Sequence, residues 1–215
     1  MKNIVLIGAS GFVGSAIRKE ALRRGLHVKA VVRNIEGLQP DENIEYIQVN
    51  IMETTKLAEV LKGADAVISA YNPGWSDPNI YHDTLKGYHS ILDAVKQSGV
   101  KRFQMVGGAG TLYVSPGVTL LDSGDVPEKI RPGVESLGLV LTDILAKEKD
   151  IDWVFFSPAA NLVDGQRTGS YRLGHDDMIT GKDGESEISV QDYAKAMIDE
   201  LENPQYHKQR FTIGY

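Results

Sequence analysis

Gly8-Ala9-Ser10-Gly11-Phe12-Val13-Gly14 is the segment of this chain whose residue types and spacing most directly imply chemistry. Three glycines follow the apolar run Asn3-Ile4-Val5-Leu6-Ile7, and an amphipathic stretch begins at once behind them. A helix start leaves its first N–H groups without partners, and those groups attract an anion. Gly8 suits a tight turn, Gly11 lets a pyrophosphate approach the backbone, and Gly14 lets a helix lie close to a strand. The spacing is G-x-x-G-x-x-G, one residue wider in its first gap than the usual dinucleotide fingerprint. Glycine is common here, 22 of 215 residues, so the triplet takes its meaning from context. A strand precedes it, a helix follows it, and the apolar run His27–Val32 arrives where a βαβ unit closes. The plainer alternative is a tight turn with packing glycines and no ligand.

A site selective for NAD usually closes its second strand with a carboxylate, which binds the ribose hydroxyls and repels a 2′-phosphate. Here that strand ends Val31-Val32-Arg33-Asn34. Arg33 offers a guanidinium fork suited to a phosphate, and Ser10 a hydroxyl donor. NADP is therefore expected, with NAD as the alternative. Glu36 is near enough in sequence to pair with Arg33 and compete. The third strand runs into Asn50-Ile51, where Asn50 is placed to hydrogen-bond an adenine edge and Ile51 to pack on its face; an ordinary helix lead-in is the competing reading. Trp75, Tyr113 and Phe156 are candidates for flat pocket walls, against simple packing. His82 and His89 stand seven apart, not at the four-residue spacing of helical metal ligands. His175 beside Asp176 and Asp177 reads as a loop charge group. No metal site is expected, and Asp143, Glu148 and Asp150 are expected to face solvent.

These residues need a frame, and short β-type runs alternate with helical stretches along the chain. Strands are expected at 3–7, 27–33, Ile44–Val49, Ala66–Ala70, Val100–Val106, Trp153–Phe156 and Gln209–Ile213. Helices are expected at 12–24, 54–62, 80–98, 134–148 and from a Ser189 cap to Glu202, the last with a capping-box-like Asp192. Such alternation implies a parallel sheet with helices on both faces. Two glycine- and proline-rich stretches, about 107–133 and 157–188, leave the fifth and sixth strands. In an open α/β sheet, ligands bind beyond such strand ends, so both loops are expected to cover a second substrate; plain surface connection is the competing reading. At 215 residues one domain, 1–215, is expected. Lys plus Arg is 23 and Asp plus Glu is 29, a net charge of −6, which argues against a nucleic-acid surface. With no cysteine, disulfides, thiolate metal sites and cysteine nucleophiles are excluded. The first residues lack a signal peptide's pattern and no run reaches the roughly 20 apolar residues of a membrane span, so a soluble, cytoplasmic location is expected.

The chain resembles the atypical short-chain dehydrogenase/reductase group that includes NmrA-like proteins, biliverdin reductase B and bacterial NADH-flavin reductase-like proteins. The carriers are Gly8–Gly14, Val31-Val32-Arg33, Asn50-Ile51, Asp65-Ala66-Val67-Ile68 and Asp152-Trp153-Val154-Phe155-Phe156-Ser157-Pro158-Ala159. Gly165-Gln166-Arg167-Thr168-Gly169, Tyr171–Gly174 and Ile188–Ala194 are similar to the flavin-reductase branch in particular. The resemblance implies a Rossmann-type doubly wound parallel sheet in a three-layer α/β/α single domain. It implies Gly8, Ser10, Gly11, Phe12 and Val13 at the pyrophosphate, Arg33 at the 2′-phosphate and Asn50 and Ile51 at the adenine. Ala70, Tyr71, Asn72 and Gly108 then border the ribose and nicotinamide, and Trp75, Tyr113 and Pro158 the substrate pocket. Two departures stand out. The group often has Asp where Asn50 stands, and often Ser where this chain reads Met105-Val106-Gly107-Gly108-Ala109.

Most short-chain dehydrogenases pair a tyrosine with a lysine four residues later, so that the lysine lowers the phenol's pKa for proton exchange with an alcohol or ketone. The residues four after the tyrosines here are Asn50, Trp75, Leu85, Leu92, Gly117, His175, Met197 and Arg210, with Tyr215 at the end. The dyad is absent, and no catalytic side chain is assigned. Hydride transfer to a flavin does not need it, because solvent can supply the proton. The expected activity is NAD(P)H-dependent reduction of a flavin or quinone-like acceptor, with FMN or FAD a dissociable substrate, not a bound prosthetic group. The alternatives are a non-catalytic NmrA-like redox sensor and, more remotely, a sugar-nucleotide epimerase or dehydratase. Expected partners are a small-molecule acceptor, neither nucleic acid nor membrane, and a monomeric or homodimeric state.

Overall fold

A computed structural model describes residues 3–40 and 42–215. β1 (Asn3–Ile7) leads through the glycine loop into α1 (Phe12–Arg23), then β2 (His27–Val32), β3 (Ile44–Gln48), α2 (Thr54–Leu61), β4 (Ala66–Ser69), α3 (Ile80–Ser98) and β5 (Arg102–Val106). The first long connection holds β6 (Tyr113–Ser115), β7 (Val118–Thr119) and the short α4 (Leu120–Ser123), and ends at α5 (Arg131–Leu139). β8 (Asp152–Ser157) follows, then β9 (Asn161–Val163), β10 (Arg172–Gly174), β11 (Glu187–Ser189), α6 (Val190–Glu202) and β12 (Gln209–Gly214).

Eight strands form one sheet in the order β3-β2-β1-β4-β5-β8-β12-β10. All neighbours are parallel except β10, which pairs antiparallel to β12 through Arg172–Gly214, Leu173–Ile213 and Gly174–Thr212. Residues of β1 alternate between the two faces, as a strand must. Ile4 and Leu6 pack with Ile17 and Ala21 of α1 and Tyr193 and Met197 of α6, whereas Val5 and Ile7 pack with Leu57 of α2 and Tyr88 and Ile91 of α3. The order reverses at β1, because β2 and β3 lie on one side of it and β4 and β5 on the other. A ligand crevice opens at such a switch, beyond the strands' carboxyl ends. Among the described residues no helix is long and apolar enough to cross a membrane.

Several expectations needed correction. The two long loops carry strands of their own, and β10 makes the sheet mixed rather than purely parallel. A three-residue edge strand shows no periodicity by which a sequence could announce it. The helix expected over 134–148 starts earlier at Arg131, relaxes into a π turn over Val140–Ile144 and ends in a 3-10 turn at Leu145–Lys147. Glu148, expected in solvent, is buried. Its carboxylate pairs with Lys96 Nζ at 2.5 Å and accepts the N–H groups of Asp150 and Ile151. Ser189 does cap α6, accepting from Asp192 N at 3.0 Å, but the reciprocal half of a capping box does not form. The Asp192 carboxylate instead accepts from Thr168 Oγ1, Gly169 N and the Tyr215 hydroxyl.

Candidate dinucleotide site

The glycine loop leaves β1 at the switch point. Gly8 has φ +78° and donates to Val31 O at 3.0 Å. That left-handed conformation favours glycine, and a Cβ there would also lie 2.6 Å from Ala70 O. A Cβ on Gly14 would lie 2.0 Å from Gly8 O, so α1 sits against the loop with no room for a side chain. At Gly11 the nearest neighbour of a Cβ is Gly8 O at 3.5 Å, an ordinary contact. Packing thus accounts for two of the glycines, while at the third a Cβ would make only an ordinary contact. The first helical bond of α1 runs from Ser15 N to Gly11 O, 2.8 Å. No side chain caps the helix, and its first turn carries no acid. The N–H groups of Phe12 and Val13 precede that first bond and suit an anion.

On the β2 side, Arg33 is exposed and its Nη1 donates to Pro73 O at 3.4 Å. Among the described residues it pairs with no carboxylate, Glu36 included; the Glu36 N–H bonds Asn34 Oδ1 instead. Asn50 Oδ1 accepts from Met52 N at 3.0 Å, shaping the turn after β3. Ile51 is 8% exposed and belongs to the core with Val31 and Leu57, and its carbonyl accepts from Ser90 Oγ. The structure therefore brings Arg33, Asn50 and Ile51 to neighbouring strand ends, with Ile51 mostly committed to packing.

Beyond β4 stand Ala70, Tyr71 and Asn72, and beyond β5 Gly107 and Gly108. Ala70 is half-buried against the glycine loop. Tyr71 turns its ring inward: it meets Tyr88 edge-on at 5.8 Å, fills the space left by Gly87, and donates its hydroxyl to Asp83 O at 3.1 Å. Burial pushes its phenol up to about 12, with the Asp83 charge adding to the effect. It therefore carries no exchangeable charge near neutrality. Asn72 Oδ1 accepts from Gly74 N at 2.7 Å, so its side chain builds the turn. Gly107 makes room for the Phe155 ring, which would meet a Cβ at 2.4 Å, whereas at Gly108 the nearest atom is Leu137 Cδ1 at 3.4 Å. Gly108 O accepts from the buried Ser157 hydroxyl at 2.9 Å, which ties the β5 end to Pro158.

Of the expected pocket walls, Trp75 and Tyr113 are exposed and Pro158 is half-buried. Phe156 is corrected. It is fully buried and stacked between Tyr193 and Phe211, at 4.2 and 4.0 Å. A strand covered on both faces gives no alternation to reveal this. The two long connections meet through Tyr113, whose N–H donates to Asp176 O and whose carbonyl accepts from Met178 N. Arg210 reinforces the join by donating to Asp176 Oδ1 and Thr111 Oγ1.

The segment Gly165–Gly169 proves to be a fastening. Arg167 donates Nε and Nη2 to the two oxygens of the buried Glu20, while Arg23 and Arg24 hold the same carboxylate. Sequence reasoning missed Glu20; its only signal was an acid inside an otherwise basic helix turn. The structure also sets one tyrosine beside one lysine: Lys195 Nζ lies 3.3 Å from the Tyr171 hydroxyl. Asp199 accepts from both. Burial, together with Asp199, outweighs the lysine and raises the phenol's pKa, the reverse of what a catalytic dyad requires. α5 itself carries no tyrosine. Among the described residues no His, Cys, Asp and Glu group could hold a metal ion. His82 and His89 are both exposed on α3.

A family profile described as NAD(P)H-binding matches residues 8–204. The chain is similar to YwnB of Bacillus subtilis (strain 168), an uncharacterized protein, with 38% identity over 213 residues that cover 98% of this chain and 97% of that one. A solved structure of a candidate epimerase from Bacteroides thetaiotaomicron is 57% identical, with a TM-score of 0.94 over 100% of this chain and 97% of that one. Another, a candidate NADH-flavin reductase from Streptococcus pneumoniae TIGR4, is 34% identical, with a TM-score of 0.85 over 100% and 99%. With its profile match over residues 8–204, its doubly wound sheet and its glycine loop at the switch point, the chain belongs to the NAD(P)H-binding family.

Proposed function

We propose that this protein is an NAD(P)H-dependent reductase that passes hydride to a flavin or quinone-like acceptor, with NADPH the preferred donor. The observation that carries the reading is the make-up of the rim. Ala70, Gly108 and Pro158, which this reading assigns to the nicotinamide end, carry no acid or base, and Arg33, assigned to the phosphate end, pairs with no carboxylate among the described residues. The residues present fit the dinucleotide: Gly11 leaves backbone open where a pyrophosphate approaches, and uncapped N–H groups face it. The bound dihydronicotinamide supplies the hydride. The chain's part is to bind and orient. The Phe12 and Val13 N–H groups hold the pyrophosphate, Arg33 the 2′-phosphate, and Asn50 the adenine edge. Small rim residues let two flat rings lie together, so proximity carries the rate. FMN or FAD then acts as a dissociable substrate, and the accompanying proton comes from solvent.

The rival reading is a dinucleotide-binding sensor without turnover, which the missing dyad also fits. Epimerase chemistry, the description of the 57% identical relative, is disfavoured for this chain because no tyrosine has a lysine four residues on. Steady-state oxidation of NADPH by purified protein with FMN, FAD or a quinone separates the two leading readings. Saturable turnover above the uncatalysed rate is expected. Tight NADPH binding with no acceptor-dependent turnover would favour the sensor.

A further inference from the structure

The chain has two tryptophans. Trp153 is 5% exposed in the core, whereas Trp75 is 48% exposed on the loop that leaves β4. Trp75 is nevertheless seated. A Cβ on Gly133 would lie 2.8 Å from Trp75 Cζ3 and 2.7 Å from Ile80 Cδ1. The indole edge thus rests on bare backbone in the first turn of α5, beside the first residue of α3. The Asn72–Gly74 turn fixes the approach of the loop. One helical turn beyond Gly133, Leu137 reaches the β5 end, with its Cδ1 3.4 Å from a Cβ placed on Gly108. Gly133 and Leu137 are four residues apart and share one helix face. They are the positions at which α5 meets the loop beyond β4 and the end of β5. Neither carries a hydroxyl or an amine, and any side chain at Gly133 would collide with the indole.

We infer that Trp75, held in the seat that Gly133 leaves empty, is the stacking platform for the acceptor. It selects flat, fused-ring electron acceptors over small aliphatic aldehydes and ketones. The inference rests on the reductase reading and names its acceptor-binding residue. An indole seated by one edge on the helix backbone presents a broad aromatic face. A fused-ring acceptor uses that face, and a small carbonyl compound cannot. Gly133 is a positioning residue, because it acts only by seating the indole.

The test uses W153F protein loaded with NADP+, in which Trp75 is the sole indole, titrated with FMN and then with menadione. Saturable quenching of the Trp75 emission is expected with both, and none with acetaldehyde. In steady state, W75A should raise the KM for FMN about tenfold while leaving the KM for NADPH within about twofold, and W75F should recover most of the loss. G133V should reproduce the W75A pattern and shift the Trp75 emission maximum. Turnover that is indifferent to W75A would overturn the platform and leave the reductase reading standing. Saturable quenching without any turnover would keep the platform and end the reductase reading.

Discussion

Replacing Arg33 with alanine should divide the two nicotinamide cofactors. The side chain is exposed, pairs with no carboxylate among the described residues, and makes one contact, to Pro73 O at 3.4 Å, near the outer limit of a hydrogen bond. Little is lost in the free protein when it is removed, so the effect falls almost wholly on the complex. A hydrogen bond to a charged group contributes about 1.5–3 kcal/mol. Solvent screening at an exposed position argues for the lower half of that range. At about 1.4 kcal/mol per tenfold, NADPH binding should weaken by about 10- to 40-fold. NADH binding should stay within about twofold. Calorimetric titration of both cofactors into wild type and R33A, at low and high salt, reads this directly. The NADPH advantage of wild type should shrink as salt rises, and R33D should reverse the preference. Equal losses for NADH and NADPH, or no loss for either, would refute the phosphate role.

Other consequences follow from the packing. Gly14→Ala places a methyl 2.0 Å from the backbone oxygen of Gly8 and should cost about 3 kcal/mol or more of stability. Gly11→Ala, whose methyl has an ordinary 3.5 Å contact, should keep the wild-type melting temperature and weaken NADPH binding; calorimetry on both variants separates fold from site. Gly107→Ala drives a methyl into the Phe155 ring and should lose about 1–3 kcal/mol, whereas Gly108→Ser should fold normally because a Cβ there meets Leu137 only at ordinary contact distances of 3.4 and 3.6 Å. Burial opposes ionisation of Glu20, yet the Arg23, Arg167 and Arg24 guanidiniums prevail and hold its carboxyl well below the usual carboxylate range. A lowered folded pKa gives stability that is present above the unfolded value of about 4.3 and is lost as pH falls. Glu20→Gln should therefore flatten the acid limb of a melting-temperature profile below about pH 4.5. It should also lower the neutral melting temperature by about 6–12 °C. Parallel profiles for variant and wild type would contradict it.

The sequence made local features legible and distant ones opaque. β1, the glycine loop and α1 are readable because each signal lies within a few residues of the next. α3 likewise runs Ile80–Ser98 as expected, ended by Gly99 at φ +80°. The Glu20–Arg167 pair joins residues 147 apart, a distance over which no pattern speaks. The Phe156 stack depends on the neighbouring strand β12 and on α6, so an aromatic in a doubly covered strand looked equally suited to a pocket. In the sequence Trp75 stands out by residue type alone, and its seat on Gly133 depends on α5 meeting α3, which only the packed molecule reveals. Tyr71 and Asn72 follow β4 as the sequence order requires, and their side chains serve the loop's own turn and its contact with α3.

As a reductase of the kind proposed, the protein would pass hydride between bound rings and deliver no proton from its own side chains. Single-turnover oxidation of 4-deuterated and unlabelled NADPH by FMN, followed across pH 6–9, tests it most directly. A primary isotope effect on a rate that does not vary with pH is the predicted result. A rate governed by a titrating group in that window, or no FMN-dependent oxidation at all, would contradict it.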